Sequence, residues 1–404
     1  MNERHTSEAH TPTSYLTSPD LPYDFDKIID RRQTDSIKWQ NYDEGVLPMW
    51  VADMDFRSPP AVVRALRKRA EHGIFGYEKS PSDLSELIAE RIGRLYDWEV
   101  APEAIVFLPG IVAGFNVASR AFVTGNEALM VQTPVYMHIL DAAEDAGVQG
   151  QAMALTQGAD GRYGVDLDLF EATITAQTRL FLLCNPHNPV GRVFTREELT
   201  AMADICLRHD LIVCSDEIHC DLIYSGHRHI PIAALDEEIA SRTVTLMAPS
   251  KTFNIAGLHC GFAVIPNADL RRQYNHGRGG LVSSPNLMGY TAARAAYAEG
   301  EPWLQALLQY LEGNRDCLVK YLAQEMPQLK MAPPEGTYLA WIDCREAGLP
   351  TSPQRFFLEH GRVAFNDGAA FGPGGEGFIR LNFGCPRQLL LEGLDRMRRA
   401  LTAL

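Results

Sequence analysis

Five short runs constrain the fold more than anything else in this chain. Ala128 to Val131, Leu180 to Cys184, Leu211 to Cys214, Val244 to Met247 and Phe262 to Ile265 are apolar throughout, save Thr245. A strand with one wet face alternates apolar and polar residues, so a run without alternation needs cover on both faces. That is the signature of parallel strands between two helical layers. Helical patterns lie between the runs. Ser58-Pro59-Pro60 opens one, with Ser58 as the expected cap and proline tolerated in the first turn, and Gly73 closes it. Ile105 to Leu108 reads as a strand, and Gly110-Ile111-Val112 turns from it into a helix reaching about Arg120. Thr195-Arg196-Glu197-Glu198 is a capping box ahead of a helix with Leu199, Met202, Ala203, Cys206 and Leu207 on one face. The expected fold class is α/β, a mostly parallel sheet with helices on both faces.

That sheet is expected to occupy a large domain, residues 59–295. From Trp303 to Met326 the pattern becomes one long helix, and Tyr338 to Ile342 and Phe378 to Leu381 read as short strands. A smaller α+β domain is therefore expected over 296–404, joined by the N-terminal segment 21–58. Residues 1–20, rich in His, Thr, Ser and Pro, read as a flexible tail without the apolar core of a signal peptide.

A chain of 404 residues, 46% hydrophobic and 22% charged, can bury one large core and a second smaller one. The net charge of −14 argues against nucleic-acid and anionic-membrane partners, which require a basic face. No apolar run reaches the roughly 18 residues that span a bilayer. The eight cysteines lack the paired short spacings of a zinc site, and several sit in apolar runs, which points to buried, reduced thiols and a cytoplasmic protein.

Three segments carry chemistry. Ala248-Pro249-Ser250-Lys251-Thr252 follows an apolar run, so the Lys251 amine is presented where a strand gives way to a loop. Ser215-Asp216-Glu217-Ile218-His219 ends another run, and Asn185-Pro186-His187-Asn188-Pro189-Val190-Gly191 follows a third. A lysine singly is usually a solvated charge, and a strand-end aspartate is usually a turn residue. In this order the three describe a site for pyridoxal 5′-phosphate. Lys251 can condense with the cofactor aldehyde, Asp216 can keep the pyridine nitrogen protonated, and Asn188 can donate to the phenolic oxygen. The amides of Gly110, Ile111 and Val112, at the positive end of a helix, face outward where a phosphate can sit.

On these motifs the chain resembles the fold-type I pyridoxal phosphate enzymes, and within them the carbon–sulfur lyase branch of the aminotransferase-like family. The resemblance also runs through Leu47-Pro48-Met49-Trp50-Val51-Ala52-Asp53-Met54-Asp55-Phe56, Gly73-Ile74-Phe75-Gly76-Tyr77, Glu335-Gly336-Thr337-Tyr338 and Gly377-Phe378-Ile379-Arg380-Leu381-Asn382. It implies that Tyr136 stacks on the cofactor and that Tyr77 reaches the phosphate held by a neighbouring subunit, which makes a homodimer with shared sites part of the expectation. It further implies that Arg380 holds the α-carboxylate of an amino-acid substrate, and that Trp50, Tyr338 and Asn366 line its side chain. Three positions depart from the wider aminotransferase pattern: His219 stands where many relatives carry tyrosine, His259 where they carry a phosphate-binding arginine, and Ala248 where a hydroxyl residue is common. Phosphate binding is then left to backbone amides, Ser250 and Tyr77, with His219 beside the ring.

The resemblance implies β-elimination from L-cystathionine or another S-substituted cysteine. The three anchor segments serve an aminotransferase equally well. A non-enzymatic regulator that binds another protein is a third reading, which an intact lysine, aspartate and arginine oppose.

Overall fold

The computed structural model describes residues 21–404; the expected tail, 1–20, lies outside the described residues. Seven strands form the main sheet: β1 (Ile105–Leu108), β2 (Ala128–Thr133), β3 (Gln149–Ala154), β4 (Thr178–Cys184), β5 (Ile212–Asp216), β6 (Thr243–Met247) and β7 (Gly261–Val264). Their order is β1-β7-β6-β5-β4-β2-β3. Strands β3, β2, β4, β5 and β6 pair in parallel, and β7 is antiparallel to both β6 and β1. The sheet is mostly parallel, as expected, but the Phe262 run corrects one expectation. It is covered on both faces without being parallel, because burial sets the apolar pattern and strand direction does not.

Alternate residues of each central strand feed opposite layers. Leu129, Val131, Leu180, Leu182, Val244 and Leu246 pack with Ile111, Phe115 and Ala118 of helix Ile111–Phe122. Met130, Phe181, Leu183 and Val213 pack with Leu199, Met202 and Cys206 of helix Arg196–Arg208. Each such side chain taken from water contributes roughly 1.5–3 kcal/mol. All eight cysteines are buried and free, as their apolar surroundings suggest.

A second sheet holds β8 (Leu339–Asp343), β9 (Asn366–Asp367) and β10 (Phe378–Asn382) in the antiparallel order β8-β10-β9. The long C-terminal helix runs Glu301–Glu325. Leu47–Pro48 of the N-terminal segment pairs in parallel with Val363–Ala364, tying the chain start to this region. Among the described residues no helix is long and apolar enough to cross a membrane.

The first helix runs Pro60–His72 and closes on Gly73 at φ 71°, but Ser58 does not cap it. Its hydroxyl donates instead to the Asn254 carbonyl at 2.9 Å, three residues beyond Lys251, so a local cap signal has been diverted to a long-range tie. The Thr195 capping box forms in full: the Glu198 amide donates to the Thr195 hydroxyl at 3.2 Å, and the Thr195 amide to the Glu198 carboxylate at 2.8 Å. Thr195→Ala should therefore lower unfolding free energy by about 1 kcal/mol in urea titrations. An unchanged midpoint would show the helix start to be held by packing alone.

Candidate active site

Strands β4, β5 and β6 run side by side with Cys184 opposite Asp216 and Asp216 opposite Leu246. Their carboxyl ends therefore open at one level, where open α/β sheets bind ligands. Asn188 lies in the loop after β4, Asp216 ends β5, and Lys251 lies in the short helix Pro249–Thr252 after β6. With Gly110, Ile111, Val112, Tyr136, His219 and Ser250 they line one cavity of about 170 Å³. Ala52, Pro109, Cys184, Ile218, Ala256, His259 and Cys260 complete its wall.

Helix Ile111–Phe122 begins at this cavity, and its first backbone bond is from the Gly114 amide to the Gly110 carbonyl. The amides of residues 111–113 precede that bond, leaving donors at the positive helix end for an anion. A Cβ built on Gly110 meets no atom within 4 Å, so that side of the turn is open.

Burial pushes the Lys251 amine down to about 8; the Arg380 cation adds to the fall, while Asp53 and Asp216 oppose it. Its Nζ donates to the Ala52 carbonyl at 2.6 Å. Burial pushes the Asp216 carboxyl up to about 7, helped by Glu217 and opposed by the Ile218 amide and Lys251. Glu217 points to the other side of the strand, where its carboxylate meets His229 at 2.7 Å and accepts from the Ser215 hydroxyl at 2.8 Å. His219 is buried, and desolvation together with Lys251 and Arg380 holds its pKa well below the ordinary range, so the ring is neutral. Its Nδ1 has no partner among the described residues.

Arg380, in β10, reaches the site from the second sheet. It donates to Asn188 Oδ1 at 2.9 Å, Asn366 Oδ1 at 2.7 Å and the Trp50 carbonyl at 3.2 Å, and its guanidinium lies 4.9 Å from the Phe371 ring centre. Burial pulls its pKa down to about 10. All of these oxygens are neutral, and no carboxylate pairs with Arg380 among the described residues. Its Nε is buried without a partner. A desolvated guanidinium with no counter-ion is set up to take an anionic ligand.

The remaining expected residues fall elsewhere. Trp50 stands edge-on to Tyr42 and spends its indole N–H on the Lys38 carbonyl at 3.2 Å, outside the cavity wall. Tyr338 is fully buried and donates to the Ala52 carbonyl at 2.8 Å, so its hydroxyl holds the Trp50–Phe56 segment. Asn366 orients Arg380 through its side-chain oxygen. Tyr77 is fully exposed, beside exposed Ile74 and Phe75, away from the cavity of its own chain. The sequence gives no direct sign of Ala52, because a backbone acceptor has no side-chain signature; only its place in the Trp50–Phe56 run points to it.

The fit to pyridoxal phosphate rests on these observations. The cavity offers an amine of lowered basicity, a buried carboxyl with no salt bridge among the described residues, free helix-start amides and an unpartnered imidazole nitrogen. In the cofactor-free protein, Lys251 should titrate near pH 8 rather than in the ordinary lysine range, as read by pH-dependent acylation and peptide mass spectrometry. Arg380→Gln should move that midpoint upward, since a repelling cation is lost. A wild-type midpoint above 10 would contradict the desolvated amine.

Residues 45–397 match the model of aminotransferase class I and II. The chain is 41% identical to the cystathionine β-lyase PatB of Bacillus subtilis, over 94% of this chain and all of that protein. Among solved structures, a pyridoxal phosphate-bound carbon–sulfur lyase from Staphylococcus hominis is 34% identical at a TM-score of 0.89, covering 94% of this chain and 99% of that one. OvoB is 45% identical at a TM-score of 0.90, covering 95% of this chain and all of the other. The chain belongs to the aminotransferase class I and II family.

Proposed function

We propose that this protein is a pyridoxal 5′-phosphate-dependent carbon–sulfur β-lyase that acts on L-cystathionine or another S-substituted L-cysteine. The observation that carries the reading is the guanidinium of Arg380, which has no carboxylate partner among the described residues, bonds to Asn188 of the cavity wall and lies close enough to help depress the Lys251 amine. The near-full-length similarity to a cystathionine β-lyase supports the choice of reaction. When bound, pyridoxal phosphate supplies an aldehyde that captures an amino group and a ring that draws electron density from Cα.

The chain's own residues do the rest. The amides of residues 110–112 and the Ser250 hydroxyl would hold the phosphate, Asp216 the ring nitrogen, Asn188 and His219 the ring edge, and Tyr136 its face. A cationic ring nitrogen beside Asp216 would return the Coulomb energy that burial withholds, and so bring the carboxyl back down from about 7. Arg380 binds the substrate α-carboxylate and thereby fixes which bond at Cα faces Lys251. A free lysine amine near pKa 8 is about one-tenth unprotonated at neutral pH, a few hundredfold more than an ordinary lysine, which suits it to take the Cα proton. With that proton gone, the Cβ–S bond breaks, its electron pair leaves with sulfur, and the proton taken up by Lys251 completes the released thiol. The remaining 2-aminoacrylate takes up water to give pyruvate and ammonia.

We place the protein in the cytoplasm as a homodimer in which the exposed Tyr77 reaches the phosphate held by the partner. The exposed run of Ile74, Phe75 and Tyr77 supports that arrangement.

The test is incubation of cofactor-loaded protein with L-cystathionine and no 2-oxo acid. Pyruvate and free thiol should appear in equal amounts over many turnovers, and Lys251→Ala should abolish both. Arg380→Gln should lower kcat/KM by roughly 10–100-fold, the loss of a charge-assisted bond worth about 1.5–3 kcal/mol. Turnover that depends on an added 2-oxo acid would make the protein an aminotransferase with the same site.

A further inference from the structure

The segment Trp50–Phe56 has no regular structure, yet it forms the roof over Lys251. Its Ala52 carbonyl accepts from both Lys251 Nζ and the Tyr338 hydroxyl, at 2.6 and 2.8 Å. An irregular segment keeps a carbonyl in place only if other groups hold it. Here two cations and two carboxylates do so from beneath. Lys38 Nζ meets Asp55 Oδ2 at 2.7 Å and donates to the Asp53 carbonyl at 3.3 Å. Arg31 bridges the two acids, at 2.7 Å to Asp55 Oδ1 and 2.7 Å to Asp53 Oδ2. The Trp39 indole donates to Asp55 Oδ1 at 2.8 Å. Lys38 and Asp55 are only 1% and 3% exposed, so neither charge has water to fall back on.

Asn254, three residues after Lys251, clamps the other end. It accepts from the Met54 amide at 3.0 Å and donates to the Met54 and Phe56 carbonyls at 2.9 and 2.8 Å. Its φ of 54° lies in the left-handed region, which asparagine tolerates better than most residues. The loop that carries the amine and the roof above it are thus tied to one another.

We infer that the partly buried Lys38–Asp55–Arg31–Asp53 cluster is a positioning device: it fixes the Ala52 carbonyl, and through it the Lys251 amine, for proton transfer at Cα. This deepens the lyase reading and rests on it. The charged or titratable groups that act on the amine are Arg380, Asp53 and Asp216, with His219 and Tyr338 nearby on the cavity's other elements. A carbonyl on the amine favours its protonated form. Releasing that carbonyl should therefore lower the titration midpoint.

The double variant Lys38→Met/Asp55→Leu removes one charge of each sign, so it loses the tie without stranding a buried ion. Its expected behaviour is a thermal midpoint close to wild type, a kcat at least tenfold lower with KM changed less than threefold, and a Lys251 acylation midpoint in the cofactor-free protein below the wild-type value. Loss of kcat by misplacement on this scale is what small displacements of a reacting group produce. A folded double variant with wild-type kcat and midpoint would reduce the cluster to a fold-stabilising one and overturn the inference. If the double variant does not fold, Trp39→Phe removes only the indole donor to Asp55 and carries the same test. A lower kcat and a lower midpoint support positioning, and wild-type values of both overturn it. If the wild type itself releases no pyruvate from L-cystathionine, the lyase reading fails, and the acylation midpoint in the cofactor-free protein still judges the cluster.

Discussion

The register of three parallel strands determines everything at this site. With Cys184 opposite Asp216 and Asp216 opposite Leu246, the loops after β4 and β6 and the last residue of β5 meet at one edge of the sheet. Side chains in a strand alternate between faces, so a slip of one residue in β5 would turn Asp216 away and bring Glu217 to the cavity. Glu217 instead lies on the far side, hydrogen-bonded to His229 and Ser215. The interior around this register, Leu180 to Cys184 against Val213 to Ser215 and Val244 to Leu246, is buried on both faces.

The cavity breaks the rules that the rest of the molecule obeys. Elsewhere buried charges find opposite charges, as Arg192 does with Glu335 and Glu198, or Arg91 with Asp221 and Glu301. At the site Arg380 has only neutral oxygens, Lys251 a backbone carbonyl, Asp216 a backbone amide, and His219 Nδ1 no partner at all. Each costs stability that a ligand of matching charge would return, which is the pattern expected of a functional site. The Arg192–Glu335 tie also shows how the two sheets are kept in reach. Gly191, at φ 73°, passes so close to Pro334 that a Cβ would lie 2.6 Å from it, and the loop of Asn188 is thereby held against the segment leading to β8.

Much of this was legible in the sequence, for physical reasons. Runs without alternation mark strands covered on both faces, and the Thr195 box marks a helix start, because burial and capping act locally. What the sequence concealed was non-local or carried by the backbone. Strand β3, mostly exposed at the sheet edge, has no apolar run to betray it. The direction of β7 leaves no trace in its composition. Ser58 has the chemistry of a cap but finds a better acceptor near Lys251. The Ala52 carbonyl, on which both Lys251 and Tyr338 converge, is visible only once the chain is folded.

The most direct test of the account is to locate the covalent attachment. Cofactor-loaded protein is reduced with borohydride, digested, and its peptides mapped by mass spectrometry. The account predicts the reduced cofactor on Lys251 alone. Attachment at another lysine, or none at Lys251 while the protein binds pyridoxal phosphate, would contradict the site that the strand register builds.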